Sequence, residues 1–425
     1  MSELEFYRET RFKDTEIGRV PEDWEVVELG EVCKKITDGT HKTPKYVDKG
    51  IPFISTQNIV PFRPGFDFSQ YKKYISLEEH RELIKRCKPE KGDILISKCG
   101  TIGRTKLIDV DYEFSIFVGL ALLKLKKDRV SGEFLEQLLN FEPYIRRMEI
   151  ASPGATRKTL TINAIKKFKI SLPPLPEQQK IAEILRSIDE AIGAVEDSIT
   201  KLERLRKGAM EHLLTRGVNH TRFKEVELNG RRVKIPAEWE VVELGKKEYF
   251  EVVMGQSPPS STYNQKGEGL PFLQGSAEFG RLYPTPLLYT TQPKKIANKN
   301  DILISVRAPV GDVNIAPFKL CIGRGLAAIR PNLRKIDYMY LFYYLAFAKP
   351  IMEKLGGGST FKGITKKALQ NFEIPLPPLP EQQKIAEILR SIDEAIEAKR
   401  MKKAGLERMK KAVMEKLLTG EVRVR

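Results

Sequence analysis

LPPLPEQQKIAEILRSIDEAI occupies residues 172–192 and recurs without a change at 376–396. Twenty-one identical letters at an offset of 204 positions, in a chain of 425, are an internal duplication. The period far exceeds the roughly 20–50 residues of a solenoid repeat, so the duplicated unit is a whole domain. Both copies share one grammar: a Pro-rich approach, then Glu177 or Glu381 in the first turn of a long helix. A carboxylate suits the positive end of a helix, and proline is tolerated only in that first turn.

Downstream, the first helix is predicted from Glu177 to Thr215. Its apolar residues Ile181, Leu185, Ile188, Ile192, Val195, Ile199, Leu202, Ala209 and Leu213 step by four and three, interrupted only by Arg206. That spacing is a coiled-coil seam. The second helix, Glu381 to Thr419, keeps Ile385, Leu389, Ile392, Ile396, Leu406, Val413 and Leu417 but puts Lys399, Lys403 and Lys410 on the seam. Its middle therefore packs less well or faces a different partner. At about 40 residues each helix is ~60 Å long, and the sister helix is the simplest thing for it to pack against. The first domain joins the N-terminal end of the first helix and the second domain follows its C-terminal end. Parallel helices would require the second domain at both ends of the bundle at once. Antiparallel helices remove that conflict, put one globular domain at each end, and return the C-terminal LLTGEV to the first domain. The expected form is a dumbbell with a pseudo-two-fold internal repeat.

Upstream, WEVVELG at 24–30 returns at 239–245, so the repeat begins well before the helices. The chain's two tryptophans, Trp24 and Trp239, sit at this equivalent position and are expected to anchor the first strand of each domain. Between anchors and helices the halves diverge, but IPFIS (51–55) parallels LPFLQ (270–274), and GDILIS (92–97) parallels NDILIS (300–305). Short apolar runs bounded by Gly, Pro and Asn predict strands joined by turns. Helices are predicted over 77–86, 132–150 and 336–355. Each domain is α+β (mixed α/β), about 150 residues long and rich in loops. The divisions are 1–171 and 218–375 for the globular domains and 172–217 and 376–425 for the helical spacers.

Lys and Arg number 73 against 56 Asp and Glu, a net charge of +17. Nucleic acid is the leading partner for such a surplus, since Lys and Arg contacts to phosphate supply most non-specific affinity. A Lys-rich surface of the thermophile kind is the plainer alternative. Residues 201–234 and 397–425 each carry ten basic to four acidic side chains, which either follow phosphates or solvate the helices. Cys33, Cys87, Cys99 and Cys321 are scattered, with no CxxC, and His41, His80, His212 and His220 form no metal-binding spacing. A reducing compartment and no structural zinc are expected. No apolar run is long enough to cross a bilayer and no signal peptide is present, so the expected location is cytoplasmic.

GATRKTLT (154–161) and GGSTFKGIT (357–365) occupy matching places before the Pro-rich junctions. Glycines, hydroxyls and basic groups suit phosphate held by backbone N–H groups, and an ordinary surface loop fits equally. Neither is GxxxxGK[ST], so an ATP site is unsupported.

The LPPLPEQQKIAEIL junction, twice, each time after a WEVVELG start and an ILIS strand, closely resembles the specificity subunit of type I restriction-modification enzymes. The resemblance covers essentially the whole chain. It implies two target recognition domains separated by two long conserved helices, each domain reading one half of an asymmetric bipartite site in double-stranded DNA. The helices would set the spacer and dock two modification subunits, which carry S-adenosylmethionine and methylate adenine N6. Restriction (motor-nuclease) subunits would add translocation and cleavage driven by ATP with Mg. This chain would bind no cofactor and no metal itself and would be catalytically silent, in keeping with the lack of a DPPY, NPPF, Walker or DEAD-like segment.

Two similar domains held apart can read two half-sites, and the resemblance directs attention to particular loops. DGTHKTPKY (38–46) is similar to the family's early recognition loop, with Lys42, Thr43 and Lys45 as DNA contacts. Its counterpart, GQSPPSSTYN (255–264), offers Gln256, Ser257, Ser260, Ser261, Tyr263 and Asn264. Gln and Asn can read adenine edges, and Arg or Lys can read guanine. Gln57, Asn58, Lys98, Arg104, Gln274 and Arg307 follow matching strands, and Thr156, Arg157, Lys158, Ser359, Thr360 and Lys362 come from the paired Gly loops. A fused nuclease or methyltransferase would need the missing motifs. A pure interaction scaffold would use PxxP at Pro173–Pro176 and Pro377–Pro380 as ligands, although a stiff elbow explains those prolines as well.

Overall fold

The computed structural model describes residues 5–152, 158–355 and 363–424. The chain divides into two compact units, Met1–Asp197 with Arg400–Arg425, and Ser198–Lys399. Each unit takes one globular domain together with part of both long helices.

In the first unit the central sheet is antiparallel, in the order Thr105–Leu107, Ile94–Ser97, Leu120–Leu125, Cys33–Asp38. A second sheet runs Ser115–Ile116, Ile51–Ile54, Tyr74–Ile75, Tyr46–Val47, and its first pair is parallel. The second unit repeats this frame. Its central sheet is Val313–Ile315, Ile302–Ser305, Leu326–Pro331, Phe250–Met254, and the parallel pair recurs between Leu270–Leu273 and Leu320–Ile322. The two ILIS strands are buried at every position, as expected of strands covered on both faces. At the centre of the sheets the register matches: Ala121 faces Asp38 and Ile96, and Ala327 faces Met254 and Ile304.

The WEVVELG strands pair with the strands that lead into the long helices. Glu25–Glu28 pairs antiparallel with Lys169–Leu172, and Glu240–Glu243 with Glu373–Leu376. Both tryptophans are fully buried. An indole buries roughly 200 Å², on the order of 5 kcal/mol at ~25 cal/mol per Å², against about 1 kcal/mol for a hydrogen bond. Packing therefore holds the ring, and its N–H sets the direction.

The long helices are Leu175–Arg216 and Leu379–Leu418. They begin two residues before the expected starts because Pro176 and Pro380 fit the first turn, where no N–H partner is lost. The Pro174 carbonyl accepts from Glu177 N at 2.9 Å and Gln178 N at 3.1 Å, and Pro378 does the same for Glu381 and Gln382. Gln178 then donates to Pro173 O at 2.8 Å and Gln382 to Pro377 O at 2.8 Å. Pro173 and Pro377 are buried within these elbows. A buried proline cannot present a PxxP ligand.

Two expected helices are each two. Residues 132–150 form Gly132–Leu139 and Glu142–Ile150, and residues 336–355 form Tyr338–Phe347 and Lys349–Leu355. Pro143 and Pro350 lie in the first turn of the second member, where they cannot continue a preceding helix. Short helices Ile162–Lys166 and Lys366–Gln370, capped by Thr161 and Thr365, had given no clear periodic signal.

Inside the first unit, Glu196 meets Lys403 at 2.8 Å and Asp189 meets Lys410 at 2.7 Å. Moving back along the first helix moves the partner forward along the second, so the segments run antiparallel. In the second unit Arg206 meets Asp393 at 2.6 Å. Asp189 and Asp393 are the same letter of the duplicated stretch, and Arg206 and Lys410 are likewise equivalent. Arg206, Lys403 and Lys410, cations that interrupt the apolar seams, are thus each met by a carboxylate of the sister helix. Each aspartate is also held from its own unit, Asp189 by Gln137 Nε2 at 2.8 Å and Asp393 by Tyr343 Oη at 2.9 Å and the Arg281 guanidinium at 3.7 Å. Of the seam residues, Ile181, Leu185, Ile188, Val195, Leu213, Ile385, Leu389, Ile396 and Leu417 are buried. Ile192, Ile199, Leu202, Ala209, Ile392, Leu406 and Val413 are half-buried, as are Lys399 and Lys403.

Candidate nucleic-acid interface

In each unit four segments meet at one end of the two sheets. In the first, Thr40 N donates to Ile116 O at 3.1 Å, Val118 N to Thr40 O at 3.0 Å, Lys98 N to Gly119 O at 2.7 Å and Leu160 N to Lys98 O at 2.8 Å. In the second, Gln256 N donates to Ile322 O at 3.0 Å, Val306 N to Gly325 O at 2.9 Å and Ile364 N to Val306 O at 2.9 Å. Three of the four backbone bonds recur, and Arg324 N, at the place of Val118 N, donates instead to Ser257 Oγ at 3.2 Å, so the loops after Asp38 and Met254 are structural counterparts. Both open on glycine because the chains cross tightly there. A Cβ on Gly39 would lie 2.1 Å from Ile116 O, and one on Gly255 would lie 2.0 Å from Gly323 O. Only hydrogen fits.

On this frame Lys42, Thr43, Lys45, Gln57 and Lys158 of the first unit are exposed, as are Gln256, Ser260, Ser261, Gln274 and Arg307 of the second. Others are committed to the protein itself. Asn58 is fully buried: its Oδ1 accepts from Ser55 N at 2.9 Å, and its Nδ2 donates to Asp67 O at 2.8 Å and Tyr71 O at 2.6 Å. A base edge would have to displace those bonds. Asn264 caps its own turn, accepting from Lys266 N at 3.0 Å and Glu268 N at 3.1 Å. Tyr263 packs on Phe272 with ring centroids 4.8 Å apart, and its hydroxyl donates to Pro258 O at 3.0 Å. Ser257 Oγ accepts from Arg324 N at 3.2 Å. Arg104 is half-buried, with Nη1 3.4 Å from Ile59 O. Thr156, Arg157, Ser359, Thr360 and Lys362 lie outside the described residues.

Lys98 departs most from its expected setting. It is buried, and its ammonium donates to Asp38 Oδ2 at 2.5 Å. Asp38 also takes a hydrogen bond from Arg86 and lies 3.1 Å from His41 Nε2. Burial pushes the Asp38 carboxyl up, but Lys98, His41 and Arg86 together outweigh it and hold the group below the usual carboxylate range.

Arg324 was missed. It is exposed at the tip of the turn Gly323–Gly325, among the converging loops. The available signal was the match between SIFVGLAL (115–122) and CIGRGLAA (321–328), which puts an arginine where the first half has Val118.

Among the described residues no group of His, Cys, Asp and Glu is arranged to hold a metal ion, and no helix is long and apolar enough to cross a membrane.

The sequence model of the family described as the type I restriction modification DNA specificity domain matches residues 21–204 and again 236–408. The chain belongs to this family. Type I specificity subunits are the non-catalytic, DNA-recognising components of their systems, and the two matches coincide with the two halves of the repeat. The chain is 45% identical over 428 residues to the specificity subunit of type I restriction enzyme MjaX of Methanocaldococcus jannaschii, covering 99% of both chains. It is 30% identical over 448 residues to the MjaVIII specificity subunit of the same organism, covering 99% of this chain and 98% of that one. A solved chain from work on complex assembly and conformational transition of the type I R-M system matches at a TM-score of 0.58 and 30% identity, covering 95% of this chain and 99% of the other. The type I restriction-modification S subunit from M. genitalium shares the fold at a TM-score of 0.59 and 16% identity, over 93% and 96% of the two chains.

Proposed function

We propose that each globular domain of this specificity subunit reads one half of an asymmetric bipartite site in double-stranded DNA. The long helices set the spacer and dock two modification (adenine N6 methyltransferase) subunits. The carrying observation is one loop frame, wired by three recurring backbone hydrogen bonds, presenting different side chains in the two halves. The first offers Lys42, Thr43, Lys45, Gln57 and Lys158, with Arg104 beside them. The second offers Gln256, Ser260, Ser261, Gln274, Arg307 and Arg324, with Ser257, Tyr263 and Asn264 shaping the loop.

Cationic tips meet phosphates and guanine edges, and carboxamides meet adenine. Unlike side chains on like frames imply unlike half-sites. S-adenosylmethionine, ATP and Mg belong to the partner modification and restriction subunits. Selection of random duplexes by the purified chain with its modification subunit tests this reading. Two conserved blocks at a fixed separation are expected, and a single uninterrupted block would contradict it.

A further inference from the structure

The two halves place opposite chemistry at one structural position. Asp38 and Met254 both face the first alanine of a Gly-Leu-Ala strand in the same register, and Lys98 and Val306 both follow an ILIS strand. The backbone around them is the same: Lys98 N bonds Gly119 O and Val306 N bonds Gly325 O, while Leu160 N bonds Lys98 O and Ile364 N bonds Val306 O. The first frame thus carries a buried ion pair where the second carries a half-buried methionine and a buried valine, both belonging to its apolar core. Removing two charges from water is costly, and apolar replacements of similar volume are often as stable or more so. In the second unit the same backbone arrangement stands with apolar residues at both positions.

What the ion pair adds is connection. The Asp38 carboxylate sits at the root of the loop 39–45 and gathers three groups from three segments. Lys98 comes from the sheet and is pinned at N and O between Gly119 and Leu160. Arg86 comes from the end of the helix Leu77–Arg86, and His41 from the loop itself. Glu79 of the same helix accepts from Lys45 N at 3.2 Å. The loop carrying Lys42, Thr43 and Lys45 is thus moored at Asp38 and again at Glu79.

We propose that the Asp38–Lys98 pair is a specificity-determining positioning element. It fixes the first recognition loop against the sheet and thereby sets base preference in the first half-site, with Lys98 acting through Asp38 and never touching DNA. This rests on the bipartite reading above.

The test transplants the second unit's solution into the first. The Asp38→Met, Lys98→Val double variant, in the full chain with its modification subunit, is put through duplex selection beside the wild type. The expected result is an unchanged melting profile and an unchanged second half-site, with discrimination in the first half-site falling roughly tenfold or more, the scale of one lost base contact. Lys98→Arg keeps the ion pair and should retain the first half-site. The slope of log affinity against log salt should stay constant, whereas a phosphate contact by Lys98 would lower it by about one. Both half-sites intact in the folded double variant, or a reduced salt slope with base preference kept, would overturn the inference. A wild type that selects no bipartite site would instead sink the reading on which it rests. If the double variant fails to fold, Asp38→Asn carries the test, and retention of the first half-site by that variant overturns the inference.

Discussion

Arg423 grips Glu177 through two hydrogen bonds, Nε to Oε1 at 2.6 Å and Nη2 to Oε2 at 2.7 Å, both buried. The same guanidinium reaches Asp23 at 2.8 and 2.9 Å and Glu9 at 2.8 Å, and Glu177 also accepts from the Trp24 indole at 3.3 Å. One arginine after the second long helix thus ties the start of the first helix to the strand that opens the domain. The counterpart Glu381 accepts from Trp239 Nε1 at 3.0 Å and Val218 N at 3.0 Å, and shares a 2.8 Å hydrogen bond with His220 Nε2. In both units the segment leaving one helix is fastened to the first turn of the other.

Arg423→Met leaves Glu177 buried without its guanidinium partner. Breaking one side of a buried pair costs about 3–5 kcal/mol. With Trp239→Phe introduced to make Trp24 the sole reporter, the denaturant midpoint read by fluorescence should fall by a corresponding amount. The mirror experiment, Glu381→Ala read by Trp239 in a Trp24→Phe background, should weaken the second unit.

The same cluster predicts an acid limb. Asp23 is held below the usual carboxylate range chiefly by its hydrogen bond from Arg423, and Glu9 chiefly by the Arg11 N–H with Arg423 contributing. A depressed folded pKa gives stability that is complete above the unfolded value, near 4, and is lost as pH falls through the folded value. Arg423→Met removes most of Asp23's share. Its stability should therefore vary less with pH below about 4 than the wild type's, as followed by denaturant titration at stepped pH.

Lys410 lies under the Phe62 ring, 3.1 Å from its centroid, and its partner Asp189 is equally buried. Burial lowers the Lys410 pKa more than Asp189 restores it. Lys410→Met alone should destabilise by about 3 kcal/mol, since it strands the Asp189 charge. Asp189→Leu with Lys410→Met should recover most of that loss. A double-mutant cycle measures the coupling.

Half-site effects should segregate. Lys42→Ala and Lys45→Ala should weaken or relax only the first half-site. Arg307→Ala and Arg324→Ala should affect only the second, by about 1–3 kcal/mol where a base is read and by about one unit of salt slope where a phosphate is bound. Duplex binding with each half randomised in turn reports both.

The repeated helix and the paired WEVVELG and ILIS strands were legible because periodicity and identity both pointed to them. The pairing of Arg206 with Asp393 and Lys410 with Asp189 was not, because a charge on a seam announces a conflict and not its partner, which lies almost two hundred residues away or more. Asn58 and Lys98 read as polar groups after strands, a description that fits buried network members and exposed readers equally. Their burial depends on Asp67, Tyr71 and Asp38 arriving from other segments. Arg324 was hidden by the opposite problem, a single cation between two glycines with no local pattern to mark it.

The most direct measurement of the central claim is a map of N6-methyladenine made by this chain with its modification subunit in an unmethylated host. The account predicts one asymmetric motif of two different blocks with a fixed spacer, whose length changes when both long helices are extended. A continuous motif, or two blocks whose spacing varies freely, would contradict it.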